Sequence, residues 1–275
     1  MITLIKKAVM SFISLLKWEK KIPIIEIRNT NRLLADKVAL ITGGSGGIGM
    51  TIAKQFIASG CKVVIVGTNI NKINKTIQEL GDGIPFIINM NEIQSFNTKI
   101  NEISNIVGNI DIVVCSAGVH SDNIDFWNMT EDEYDRVMDI NLKGTYFFCQ
   151  ASANYMRKNK IEGKILLISS SRGSEPAWSP YGLSKWGING MIKGLAKCLA
   201  PYKINVNAIA PGSTATMLLG YEKGNSVYSA DNTECRLIMP DEVANIASLL
   251  VSEAGKMING EIIHISSGRG IYDIR

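Results

Sequence analysis

Short apolar runs alternate with stretches of helical periodicity through most of this 275-residue chain, and that alternation limits the fold more than any other feature. The runs are KVALIT, CKVVIVG, IPFIIN, IDIVVCS, GKILLIS, KINVNAI and GEIIHIS. Between them, helical periodicity is read at 71–80, 91–107, 132–157, 181–199 and 241–253. Such alternation predicts an α/β protein: a doubly wound Rossmann fold whose seven-stranded parallel sheet carries helices on both faces. Ligands then collect at the carboxyl ends of the strands. The polar stretch 213–239 exceeds an ordinary connection and reads as a mobile lid.

The stretch TGGSGGIG, Thr42 to Gly49, lies between the first run and a helical pattern in which Ile48, Ile52 and Phe56 recur. It is therefore a strand-to-helix turn. Glycine tolerates positive φ and has no Cβ, so backbone N–H groups and a helix N-terminus can approach a pyrophosphate there. Three nucleotide-binding spacings fit at once: G-x-G-x-x-G from Gly44, T-G-x-x-G-x-x-G through Gly46, and T-G-x-x-x-G-x-G through Gly47. A tight turn without a ligand fits as well.

Composition narrows the chemistry. A chain 46% hydrophobic and 20% charged, without repeats, suits one large domain. Cys61, Cys115, Cys149, Cys198 and Cys235 are scattered and odd in number, which fits a reduced, intracellular protein. Two histidines, His120 and His264, give a histidine-rich metal site too few ligands and a Ser/His/Asp triad few ways to assemble. Of the formal charge of +4, residues 1–32 hold +5, so the rest is nearly neutral and gives no reason to expect nucleic acid. In residues 1–32, Ile5, Val9, Phe12 and Leu16 make one apolar stripe flanked by lysines. The apolar run Ala8–Leu16 falls well short of the ~20 residues a membrane span needs. The expected division is a basic amphipathic extension, 1–32, and one domain, 33–275. The extension is expected to pack on its own domain or a sister subunit rather than on a membrane.

Tyr181 and Lys185 stand four apart at the start of a predicted helix, on one face. A free tyrosine has a pKa of about 10, and an adjacent ammonium favours the phenolate, so Tyr181 could exchange a proton near neutral pH. A surface pair has the same spacing.

The surroundings of this pair carry more. ILLISSS ends a strand upstream, INLKG supplies Asn141 in a helix, CSAG ends another strand, and APGSTAT closes the next. With the glycine stretch, this ordered set resembles the short-chain dehydrogenase/reductase family, in its compact single-domain branch and near its 3-oxoacyl-carrier-protein reductase-like members. The resemblance runs from about Leu33 to Gly268. It selects the T-G-x-x-x-G-x-G spacing. CSAG is similar to the branch's N-N-A-G, and only about 60 residues follow APGSTAT, too few for the larger substrate domain of the extended branch.

The resemblance implies an NAD(P)(H)-dependent oxidoreductase moving hydride between a nicotinamide and a ketone or secondary alcohol. Tyr181 would protonate the carbonyl oxygen, Lys185 would lower the tyrosine pKa and bind the nicotinamide ribose, Ser170 would hydrogen-bond the reacting oxygen, and Asn141 would hold a water in the proton relay. Ser169 is the fallback for Ser170, because the spacing from serine to tyrosine is about two residues shorter than the family's. Cofactor contacts are implied at Gly43, Ser45, Gly47, Ile48 and Gly49, and at Thr68 and Asn69 after the second strand. Further contacts fall at Asn89 and Met90, at Ser116, Ala117 and Gly118, and at Pro211, Gly212, Thr214 and Thr216. No carboxylate ends the second strand, where one would bind the ribose 2′-hydroxyl of NAD. Ser45, Thr68, Asn69 and Lys72 could bind a 2′-phosphate, so NADP(H) is favoured over NAD(H). A homodimer or homotetramer in the cytoplasm is expected, without membrane contact.

His120 is read as a solvated loop residue, Trp127 and Trp186 as core or interface aromatics, Trp178 as lying near the substrate mouth, and Cys115 as a buried filler. HISSG, 264–268, departs from the family's V-D-G-G. The alternative from another class is a catalytically silent dinucleotide-binding sensor or scaffold.

Overall fold

Every one of the seven runs forms a strand: β1 (Val38–Thr42), β2 (Lys62–Gly67), β3 (Ile84–Ile87), β4 (Ile112–Cys115), β5 (Lys164–Ile168), β6 (Asn205–Pro211) and β7 (Ile262–Ile265). They make one sheet in the order β3-β2-β1-β4-β5-β6-β7. All pairings are parallel, for example Thr42 beside Val66 and beside Cys115. The computed structural model describes residues 32–121, 125–222 and 224–269; the expected 1–32 extension, Arg32 apart, lies outside these residues.

Seven α-helices are described: α1 (Gly47–Ala58), α2 (Ile70–Leu80), α3 (Phe96–Val107), α4 (Glu131–Met138), α5 (Thr145–Lys158), α6 (Pro180–Leu199) and α7 (Pro240–Val251). Apart from the edge strands β3 and β7, the sheet is buried on both faces, which is why its strands read as nearly unbroken apolar runs. Alternate strand residues supply two cores. Leu40, Val64, Val113 and Leu167 pack with Ile100 of α3, Phe148 of α5 and Ile192 of α6. Ile41, Ile65, Val114 and Leu166 pack with Ile52 and Phe56 of α1 and Ala247 of α7. Helices therefore cover both faces, as expected. No described helix is long and apolar enough to cross a membrane.

One expected helix is interrupted. The stretch read as continuous over 132–157 is α4, a π-helical segment at Asp139–Gly144, then α5. Gly144 accounts for part of this: a Cβ there would lie 2.5 Å from the carbonyl oxygen of Met90. The segment presses against the turn after β3.

Strand order reverses between β1 and β4, so a crevice opens beyond their carboxyl ends. Thr42 fixes its floor. The Thr42 hydroxyl accepts from the amides of Ser116 and Ala117, both at 3.2 Å, and donates to the carbonyl of Val114 at 3.4 Å.

Candidate active site

The glycines of the turn after β1 divide by what their surroundings allow. Gly43 has φ +65°, and a Cβ there would lie 2.8 Å from the backbone of Ala117. Gly47, at φ +20°, would press a Cβ to 2.7 Å from the Thr216 side chain. Gly49 abuts the carbonyl oxygen of Gly43. Gly46 has nothing nearer than 3.8 Å to such a Cβ. Gly44 is also tight, a Cβ there lying 3.0 Å from the Ile41 carbonyl oxygen, but Gly46, which both other spacings require, is open, so the surroundings favour T-G-x-x-x-G-x-G.

These contacts draw the implied cofactor residues together. Gly43 joins the turn to Ser116–Gly118, and Gly47 joins it to Thr216, beyond β6. Ser45 Oγ would lie 3.4 Å from a Cβ on Gly67, so Ser45 sits at the end of β2 beside exposed Thr68 and Asn69. Ile48 lies in the first turn of α1. Asn69 caps α2, its Oδ1 accepting from the amide of Lys72 at 3.0 Å. No acid stands in the first turn of α2. Asn89 is engaged within its own turn, with Glu92 and with the amide of Asn91. Met90 is buried against the π-helical segment. Pro211 ends β6, and Gly212 packs against Ile238 and Ser266. The buried Thr214 hydroxyl turns back to the carbonyl of Gly212 at 2.9 Å.

Tyr181 and Lys185 stand on α6, which Ser179 caps and Pro180 begins. Lys185 is buried, its ammonium 5.5 Å from the Tyr181 ring centroid and 3.0 Å from the carbonyl of Ile168, to which it donates. Burial pushes Lys185 down to about 8. The loop after β5 brings the serines to this pair. Gly173 packs so tightly on α6 that a Cβ would meet the Lys185 carbonyl at 2.7 Å. That contact holds Ser170 over the helix, where its hydroxyl favours the phenolate of Tyr181. Ser169 turns elsewhere, donating to Asn189 at 2.5 Å. The geometry therefore sets Ser170, not Ser169, against the tyrosine.

One expectation needs correcting. Tyr181 does not have a lowered pKa: its burial raises the phenol above 10, against smaller opposing pulls from the Ser170 hydrogen bond and the Arg172 charge. The ammonium of Lys185 faces the ring and a carbonyl, and is itself costly to keep charged.

Asn141 is fully buried in the π-helical segment. Its Oδ1 accepts from the Val119 amide at 2.8 Å, and its Nδ2 donates to the Val119 carbonyl at 2.9 Å and to Ser184 Oγ at 3.3 Å. A Cβ on Gly118 would lie 3.3 Å from Asn141 Oδ1 and 3.9 Å from Lys185 Nζ. The four expected catalytic residues thus meet around Gly118 and Tyr181. The Asn141 side chain is occupied in bracing the loop after β4, so a water relay cannot rely on that amide alone.

Several contributors escape a reading of the sequence. His120 is exposed, yet its ring lies 4.3 Å from that of Tyr181. Arg172 acts on Tyr181 from two residues beyond Ser170. Arg269, just after HISSG, binds buried Glu175 at 2.9 Å and Asp231 at 2.5 Å. His264 of HISSG meets Ser174 Oγ at 2.9 Å. Ser213 and Ala215 pair with Ile238, so the stretch read as a lid closes at its base. Trp127 and Trp186 are 89% and 48% exposed, not core. Cys115 is buried against Cys149, as a filler would be.

The family described as short chain dehydrogenase matches residues 37–225. A 3-oxoacyl-acyl-carrier-protein reductase of Aquifex aeolicus is 34% identical over 246 residues, 86% of this chain and 98% of the relative. A 3α-hydroxysteroid dehydrogenase of Mediterraneibacter gnavus is 29% identical over 85% of this chain and 96% of its own length. Among solved structures, a 3-oxoacyl-acyl-carrier-protein reductase with bound NAD from Brucella melitensis superposes with a TM-score of 0.76 at 28% identity, covering 91% of this chain and 99% of that one.

Proposed function

The chain belongs to the short chain dehydrogenase family, and from that premise we propose how it works as an NAD(P)-dependent oxidoreductase interconverting a ketone and an alcohol. The carrying observation is that buried Lys185 lies against the Tyr181 ring, while the Ser170 hydroxyl is close enough to favour the phenolate.

The crevice fits a dinucleotide: Gly43 and Gly47 make a cradle that a Cβ would fill, and it opens at the reversal of strand order. The nicotinamide cofactor supplies or accepts the hydride. Ser170 hydrogen-bonds the substrate oxygen, and Tyr181 gives that oxygen its proton, so that ketone, hydride and proton become the alcohol. A phenol kept protonated by burial suits a donor. Lys185 would hold the nicotinamide ribose and replaces the proton Tyr181 has lost, a role helped by an ammonium whose pKa is about 8. Asn141 holds the loop after β4 in register, with its own π-helical backbone as the place for a relay water.

NADP(H) is preferred over NAD(H) in this reading. Support comes from the end of β2, where Ser45, Thr68, Asn69 and Lys72 gather without a carboxylate. The relatives' names span an acyl-carrier-protein reductase and a hydroxysteroid dehydrogenase, so the carbonyl or carbinol class is what carries over. Exposed Tyr146, Leu183 and Trp186 on α5 and α6 support a homodimer or homotetramer through those helices. A cytoplasmic location accords with five cysteines that are all free.

The test is a fluorescence titration with NADPH and with NADH on the wild type, Thr68→Asp and Tyr181→Phe. NADPH is expected to bind more tightly, Thr68→Asp to reverse the order by repelling a 2′-phosphate, and Tyr181→Phe to bind normally without turnover. Turnover retained by Tyr181→Phe sinks the assignment.

A further inference from the structure

The loop residue His120 stacks on Tyr181, with ring centroids 4.3 Å apart and planes tilted by 34°. The loop bearing it is held by two residues from other elements. Asn141 binds both the amide and the carbonyl of Val119, one residue earlier. The carbonyl of His120 accepts from Arg136 Nη2 at 2.8 Å, and Arg136 is paired with Glu133 on the same helix at 2.7 Å. The ring is fixed too. His120 Nδ1 lies 3.1 Å from the carbonyl of Ser121, and because a carbonyl only accepts, Nδ1 carries a proton. Backbone and imidazole are thus both oriented before any substrate arrives.

We infer that His120 is a positioning residue for Tyr181: its imidazole caps the ring of the reacting tyrosine, fixes the ring's orientation and limits water at the hydroxyl. The inference rests on Tyr181 being the proton donor. The charged and titratable groups facing Tyr181 are Lys185 from its own helix, Arg172 from the loop after β5 and His120 from the loop after β4. Lys185 is buried and Arg172 acts only through its charge, so His120 alone among them is an exposed side chain in ring contact with Tyr181. Burial is the largest influence holding the phenol protonated, and the His120 ring, stacked at 4.3 Å, covers part of Tyr181.

The experiment compares wild type, His120→Ala and His120→Phe, each with and without Tyr181→Phe. Subtracting each Tyr181→Phe partner from its parent isolates the phenolate absorbance of Tyr181 from the other tyrosines during a pH titration. His120→Ala is expected to move that titration down, toward the ~10 of a free tyrosine, and His120→Phe to restore it by returning a ring. In NADPH-dependent reduction of ethyl acetoacetate, His120→Ala should lower kcat more than it changes KM, again with recovery in His120→Phe. The titration needs no substrate and decides by itself: an unmoved Tyr181 titration in His120→Ala overturns the inference. Turnover surviving in Tyr181→Phe overturns instead the role of Tyr181, and leaves the stacking result standing.

Discussion

Asn141 and Val119 are joined twice, the Val119 amide donating to Oδ1 at 2.8 Å and Nδ2 donating back to the Val119 carbonyl at 2.9 Å. A side-chain amide here does the work of a neighbouring strand, and it does so from a π-helical segment whose wider turn faces the site. Asn141→Ala would leave both backbone groups and Ser184 short of a partner, at a cost of about 1–3 kcal/mol. The expected outcome is a lower Tm together with a loss of turnover larger than the stability change explains, because the loop carrying Gly118 and His120 is released. Asn141→Asp, which keeps the acceptor and loses the donor, should fall between. Calorimetry with steady-state kinetics checks both.

Glycine substitution distinguishes the three spacings that the sequence leaves open. Gly43→Ala places a methyl group against the Ala117 backbone at a residue with φ +65°, so it should destabilise the fold and abolish NADPH binding. Gly46→Ala meets nothing within 3.8 Å at a residue whose φ is −131°, and should leave Tm nearly unchanged. Equal damage from the two would contradict the T-G-x-x-x-G-x-G assignment.

The sheet is legible in the sequence because central strands buried on both faces have little choice but Val, Ile, Leu and Ala, and each strand ends within two residues of its run. Tyr181 and Lys185 are legible for a different reason, since four residues on a helix is one turn whatever surrounds it. What local sequence does not contain is the environment. The rise in the Tyr181 pKa comes from burial beneath the loops after β4 and β5, and His120 reaches it across 61 positions of chain. The π-helical insertion is hidden likewise, because Asp139–Gly144 reads as uninterrupted helix until Gly144 meets Met90. Arg269 stands beyond a segment that departs from the family, so no motif points to it.

Lys185 predicts a pH dependence of stability. Burial lowers its pKa from 10.5 to about 8, so between those values the unfolded chain binds more protons than the folded one. Stability from this group is therefore present above 10.5 and lost as pH falls toward 8, by on the order of 3 kcal/mol. Tyr181, whose pKa is raised, acts in the opposite sense only above about 10. Urea unfolding of wild type and Lys185→Met at pH 7.5 to 9.5 should show the wild type gaining on the variant as pH rises. Parallel curves would mean that the lysine is not buried as a cation.

Arg269 closes a clasp around the site. Its guanidinium binds Glu175, in the loop that leads to Tyr181, and both Asp231 and Ser213 of the stretch between β6 and α7. Glu175 is 6% exposed; burial alone would raise its pKa, but the hydrogen bond and charge of Arg269, with Arg172, hold it below 4.5. Asp231 is held low by Ser213 first and then by Arg269. Both carboxylates thus contribute stability above their ordinary pKa values and lose it as pH falls through the lowered ones. Arg269→Ala leaves Glu175 with Arg172 as its ion-pair partner and Asp231 with Ser213, which should cost about 1–3 kcal/mol near neutral pH and flatten the acid limb of the stability curve. It should also admit protease within residues 213–239, because the base pairing of Ser213 and Ala215 with Ile238 would then stand without its outer brace. Limited proteolysis of the two proteins, followed by mass spectrometry, reads this directly. Cleavage elsewhere first, or at the wild-type rate, would show that the pairing with Ile238 suffices and that the clasp serves only Glu175.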